Sequence, residues 1–160
     1  MNASASPAVG AAAPDFSLTD DAGTSQSLSA QRGRWVVLFF YPKDFTSGCT
    51  DEVCDFRDLT PDFEAAGATV WSVSVLDAAS KAKFKAKHGL TFPLLADPDH
   101  EVAERYGAWV EKKNYGKTYW GIGRTTFLID PDGNVARVWH KVKVEGHAAE
   151  VLEAVREAAA

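Results

Sequence analysis

At 160 residues, with a formal net charge of −5 and an isoelectric point near 5.3, the chain suits one domain with a self-supporting core and offers no basic field for a nucleic-acid backbone. Its 46% hydrophobic and 24% charged content is ordinary for a globular protein. No apolar run approaches the roughly 18 to 20 residues of a membrane span.

Residues 1–14 are mostly Ala, Ser and Pro with neither a basic nor a strongly apolar section, so residues 1–10 read as a flexible tail and not as a secretory signal, ahead of a single domain over 11–160. With two cysteines and no leader, the chain is expected in the reducing cytoplasm, where a cysteine pair is more often catalytic or metal-binding than structural.

In chain order, residues 15–28 predict a short hairpin about an Asp-Ala-Gly turn. Trp35 to Tyr41 is continuously apolar, β-branched and aromatic, which predicts a central strand buried on both faces, and Pro42 ends its pairing. Thr46 and Ser47 can cap a following helix, with Asp51 and Glu52 suited to the positive end of its dipole. Val53, Phe56, Leu59 or Thr60, and Phe63 give that helix one buried face. Thr60 followed by Pro61 predicts a break, with a second helical piece over 61–66.

Residues 68–76 alternate like a strand, and Asp77 or Ser80 caps a lysine-rich helix over 78–88 closed by Gly89, its Lys81 to Lys87 charges read as a solvated face. A short strand over 91–95 and a short helix over 100–106 follow, then a glycine-punctuated aromatic stretch, 109–123, with no clear assignment. Residues 124–130 and 135–144 flank a Pro-Asp-Gly-Asn turn and form the clearest hairpin, and 147–159 closes as an amphipathic helix. This order predicts an α/β sandwich with a mixed central sheet.

The chemistry concentrates where the central strand meets the next helix. Cys49 falls in the first helical turn, where N–H groups without helical partners favour a thiolate over a thiol. Cys54 lies five residues later. On an intact α-helix, residues i and i+5 have Cα atoms roughly 8 to 9 Å apart, and a disulfide needs them within about 7 Å. Bridging the two therefore requires local unwinding, which suits a switching catalyst and not a static staple.

The segment Pro42-x-x-x-Thr46-x-x-Cys49, the second cysteine at +5 and Arg124 opening a late strand together resemble the peroxiredoxins, most closely the bacterioferritin comigratory protein or PrxQ subgroup. The stretches 13–18, 112–117, 124–130 and 142–147 are also similar to that subgroup, so the resemblance spans about residues 10–155. It implies a thioredoxin-like fold, a peroxidatic Cys49, a resolving Cys54, and Pro42, Thr46 and Arg124 around the peroxide. Electrons would come from thioredoxin or a similar dithiol protein, with no cofactor. Ser47 stands where a proline is common in the subgroup, and Gly123 where a larger residue is usual.

A lowered thiol pKa alone does not make a fast peroxidase. Dropping it from about 8.5 to about 6 raises the thiolate fraction at neutral pH about thirtyfold, and the accompanying fall in nucleophilicity returns about tenfold of that. The rest of the rate must come from donors that polarise the O–O bond and hold the leaving oxygen. Arg124, the Thr46 hydroxyl and the backbone N–H groups near Gly48 and Cys49 are the candidates. Glu52 is a candidate to orient Arg124, and Pro42 to limit water access.

His88, His100, His140 and His147 are scattered without ligand spacing, so no metal site is expected and each reads as a surface residue or a cap, with His147 starting the last helix. The expected activity is reduction of hydrogen peroxide and organic hydroperoxides by a monomer. Two rivals stay open, a thioredoxin-like disulfide reductase and a non-enzymatic redox-sensing or binding module. The absence of a Cys-x-x-Cys motif weighs against the first.

Overall fold

The molecule is built around β3 (Trp35–Phe40), whose side chains alternate between two cores. In a computed structural model that describes residues 6–43 and 47–159, Val37, Phe39 and the following Tyr41 point to one face, and Val36, Leu38 and Phe40 to the other. All six are at most 1% exposed, which is why the run carries no polar residue.

Around it lie β1 (Ser17–Asp20), β2 (Ser25–Ser27), β4 (Ala68–Ser74), β5 (Leu94–Ala96), β8 (Thr125–Ile129) and β9 (Val135–Trp139), in the order β2-β1-β5-β4-β3-β8-β9. The β3–β4 and β4–β5 pairs are parallel and the others antiparallel, giving the expected mixed sheet. Helices α1 (Ser47–Ala65), α2 (Ala78–His88) and α4 (His147–Ala159) contribute to the core on one face. Short α3 (Glu101–Arg105) and Phe16 pack on the other. Among the described residues no helix is long and apolar enough to cross a membrane.

The stretch 109–123 is a separate hairpin of β6 (Trp109–Asn114) and β7 (Lys117–Ile122) outside the main sheet. Strand boundaries are shorter than expected at two places. β5 starts at Leu94, after Pro93, and β9 stops at Trp139. Of the expected tail, residues 1–5 lie outside the described residues, and Gly10 and Ala13 are already hydrogen-bonded to the carbonyls of Val135 and Gly133.

Three expectations fail for physical reasons. α1 does not break at Pro61 but runs through it. Pro61 has no N–H for the Arg57 carbonyl, while the Thr60 hydroxyl donates to the Phe56 carbonyl at 3.0 Å and accepts from Thr91. Tertiary packing outweighs the proline here: Phe56 stacks on Phe39 at 4.3 Å and Phe63 on Phe56 at 5.8 Å, so the helix is held on both sides of it.

Lys81 is fully buried and not solvated. Its spacing of three residues from Phe84 puts it on the inward face, where its ammonium donates to the Tyr41 hydroxyl at 3.2 Å and to the Ser74 hydroxyl. His147 does start α4 but is buried, its Nε2 at 2.8 Å from the Thr126 hydroxyl and its ring edge-on to Phe56 and Trp139. Burial pushes its pKa down to about 4.

Candidate active site

Strand register delivers the site. Phe40 pairs with Thr125 across the antiparallel β3–β8 ladder, so Arg124, one residue earlier on its strand, comes level with Tyr41, one residue later on the other. That is the sheet end from which the chain leaves for α1. The Arg124 carbonyl accepts from the Val142 N–H at 3.1 Å, which holds the backbone while the side chain turns to the helix.

The Arg124 guanidinium spans two partners. Nη2 donates to Cys49 Sγ at 3.2 Å and Nη1 to Glu52 Oε1 at 2.8 Å. Cys49 and Glu52 are three residues apart on α1, so both project toward the same cation. Cys49 is fully buried, Glu52 is 1% exposed, and the arginine side chain is 20% exposed. A guanidinium N–H directed at sulfur stabilises its anionic form, and the fork geometry aims the neighbouring N–H groups in fixed directions.

Burial raises the Glu52 carboxyl to about 7 even though Arg124 pulls the other way. Its Oε2 atom is buried with no hydrogen-bond partner among the described residues. A carboxyl that carries a proton through much of the neutral range can hold Arg124 in place without fully cancelling its charge.

Gly48 is required by this packing. A Cβ there would sit 2.9 Å from Arg124 Nη2. Gly48→Ala is therefore expected to have opposite effects on two measurements. Alanine at an early helical position raises thermal stability by up to about 1 kcal/mol. Displacing the guanidinium from the sulfur lowers the peroxide rate constant by about tenfold. Thermal melts and stopped-flow traces on one preparation check both. An unchanged rate would mean that the arginine position is immaterial.

Cys54 lies outside this hydrogen-bonded group. It is partly buried and packs against the core, and both cysteines are free. Burial, followed by the charges of Asp58, Asp51 and Asp55 against the opposing Arg57, pushes its thiol above the usual range, so it waits protonated. Pro42 is half-buried directly after β3 and is not part of the hydrogen-bonded group. Thr46 lies outside the described residues. α1 begins at Ser47, so Asp51 and Glu52 fall in its second turn and not its first. At Gly123, Val110 Cγ2 stands 3.1 Å from where a Cβ would be, so the space of the larger residue usual in the subgroup is occupied from β6.

The sequence reading missed Lys81, whose spacing to Phe84 and His88 was the available signal, and His147, whose partner Thr126 is 21 residues away.

Residues 9–138 match the model of the AhpC/TSA family. The chain is 46% identical over 149 residues to Peroxiredoxin Bcp of Bacillus subtilis, covering 93% of this chain and 95% of that one. It is 49% identical over 144 residues to a putative peroxiredoxin Bcp of Coxiella burnetii, covering 90% and 95%. The solved structure of Xanthomonas campestris bacterioferritin comigratory protein, studied for its alkyl peroxide reduction, superposes with a TM-score of 0.87 at 43% identity over 91% of this chain and 92% of that one. The Xylella fastidiosa PrxQ variant gives a TM-score of 0.88 at 38% identity over 100% and 98%. With a buried cysteine at a helix start, an arginine on its sulfur and kinship along nearly its whole length, the chain belongs to the AhpC/TSA family as a peroxiredoxin of the thioredoxin-like fold, in the Bcp/PrxQ subgroup.

Proposed function

We propose that this chain is a thiol-dependent peroxidase in which Cys49 is the nucleophile and Cys54 resolves its oxidised form. The observation that carries the assignment is the 3.2 Å hydrogen bond from Arg124 to Cys49 Sγ at the start of α1. The Cys49 thiolate attacks one peroxide oxygen, an S–O bond forms and the O–O bond breaks. The departing hydroxide or alkoxide takes a proton and leaves as water or an alcohol. Arg124 holds the sulfur and meets the charge that develops on oxygen, with Glu52 holding Arg124 and the backbone at Gly48 adding N–H donors. Thr46 supplies a hydroxyl to the peroxide and Pro42 limits water.

Cys54 then attacks the sulfenic sulfur and expels water, giving an intramolecular disulfide. Both cysteines lie on the continuous α1, so this step unwinds the turn before Phe56. The substrate is a peroxide and the reductant a thiol; thioredoxin or a similar dithiol protein is the reductant we propose, acting on a cytoplasmic monomer whose domain is 11–160 after a tail over 1–10. The alkyl peroxide reduction of the Xanthomonas campestris relative supports activity on alkyl peroxides.

Thiol counting after one equivalent of peroxide tests the cycle. Wild type is expected to lose both thiols into a Cys49–Cys54 disulfide, Cys54→Ser to stop at the sulfenic acid, and Cys49→Ser to consume no peroxide on this time scale. Peroxide consumption by Cys49→Ser at the wild-type rate would overturn the assignment.

A further inference from the structure

The peroxide step needs a proton. A thiolate that attacks a peroxide gains an S–O bond and loses its charge, and that charge reappears on the departing hydroxide or alkoxide, which must be protonated. The cation that touches the sulfur also touches an acid. Arg124 donates to Cys49 Sγ through Nη2 at 3.2 Å and to Glu52 Oε1 through Nη1 at 2.8 Å. These are two N–H groups of one planar guanidinium, and Cys49 and Glu52 stand one helical turn apart on α1.

Both acids are buried, and among the described residues Arg124 is the only cation hydrogen-bonded to either. One guanidinium compensates one anion, so thiolate and carboxylate compete for it and the protonation of each is tied to that of the other. The other charged group that acts on Glu52 is Asp55, three residues on along α1; its like charge and, above all, burial favour the protonated carboxyl at up to about pH 7. The second carboxyl oxygen, Oε2, is buried and makes no hydrogen bond among the described residues. Steering Arg124 uses Oε1 alone, which leaves Oε2 as the atom that can carry a proton without disturbing the arginine.

We propose that Glu52 is the acid of the peroxide step, holding a proton on Oε2 while Cys49 is a thiolate and passing it, directly or through one water, to the oxygen that departs as the O–O bond breaks. The inference rests on the peroxidase reading above. The sulfur electron pair forms the S–O bond, the O–O pair leaves on the departing oxygen, and that oxygen takes the Glu52 proton. Sulfur is oxidised, the peroxide is reduced, and the charge of the site is unchanged: Arg124 faces a thiolate beforehand and a carboxylate afterwards. The carboxylate regains its proton from solvent before the next turnover. The competing account is that Glu52 only fixes the arginine.

Glu52→Gln separates the two, because glutamine still offers Arg124 an oxygen and has no acidic proton. Stopped-flow fluorescence follows oxidation of Cys49 in a Cys54→Ser background by hydrogen peroxide, whose departing hydroxide is strongly basic, and by peracetic acid, whose departing acetate needs no proton. At neutral pH, Glu52→Gln is expected to slow the reaction with hydrogen peroxide about a hundredfold and the reaction with peracetic acid less than about threefold. With hydrogen peroxide the wild-type rate constant is expected to fall on the alkaline side, between about pH 7 and pH 9, as Glu52 loses its proton, and the variant is expected to show no such fall. A loss with hydrogen peroxide no greater than that with peracetic acid overturns the proposal, as does an alkaline fall that persists in the variant. Comparing two peroxides on one preparation cancels any partial loss of folded protein. A wild type oxidised by neither peroxide would instead overturn the peroxidase reading, so the two failures are separable.

Discussion

Arg124→Met is expected to lower the rate constant for peroxide reduction by about a hundred- to a thousandfold, the loss typical when a preorganised donor to a developing oxyanion is removed. Methionine fills much of the same space, so the change isolates the hydrogen bonds to Cys49 Sγ and Glu52 Oε1. Arg124→Lys is expected to recover only part of the loss, because one ammonium cannot hold sulfur and carboxyl together in the guanidinium's fork. Stopped-flow tryptophan fluorescence against peroxide concentration measures both. A loss below about fivefold for Arg124→Met would mean that the backbone and the 44–46 segment carry the chemistry, against the magnitude assigned to an oxyanion donor.

Glu52→Gln is the larger effect on stability. Burial raises the Glu52 carboxyl from its ordinary 4.5 to about 7 in the folded protein. A group raised on folding contributes its stability below the unfolded value, and that stability is lost as pH climbs through the folded value. The wild type is therefore expected to lose on the order of 3 kcal/mol at this residue between about pH 4.5 and pH 7, at about 1.36 kcal/mol for each pH unit that separates the two values. Glutamine keeps an acceptor for Arg124 and does not titrate.

Relative to wild type, Glu52→Gln should thus gain stability as pH rises, reaching up to about 3 kcal/mol by about pH 8. His147 acts in the opposite sense, its stability present above its ordinary 6.5 and lost as pH falls through about 4. It is common to both proteins and cancels in the difference. Urea unfolding at several pH values gives the comparison. A glutamine variant that loses ground as pH rises would reverse the sign.

The candidate-site residues were largely visible in the chain order. Cys49 follows a buried strand and a proline, Cys54 repeats at a spacing that forbids an unstrained helical disulfide, and Arg124 opens a strand. Their linear context gives them away because a nucleophile at a helix start needs local features: a strand end, a breaker and free N–H groups. Less visible were residues whose roles come from distant partners. Lys81 reads as one more charge on a lysine-rich helix until Tyr41 and Ser74, 40 and 7 residues away, meet it in the core. Pro61 reads as a helix end because proline removes a hydrogen bond, and the cost is overridden by stacking of Phe56 on Phe39, which only the packed sheet supplies.

Composition, periodicity and the cysteine spacing thus determined an α/β sheet protein with a cysteine at a strand-to-helix junction, because hydrophobic period and helix-end position are local properties. Tertiary structure alone decided that the β3–β8 register brings Arg124 level with Tyr41 and that Glu52 is buried beside it with a raised pKa. Register and burial depend on which strands pair, and the Arg124–Cys49 contact joins residues 75 apart in sequence, a choice that side-chain pattern along any one segment does not record.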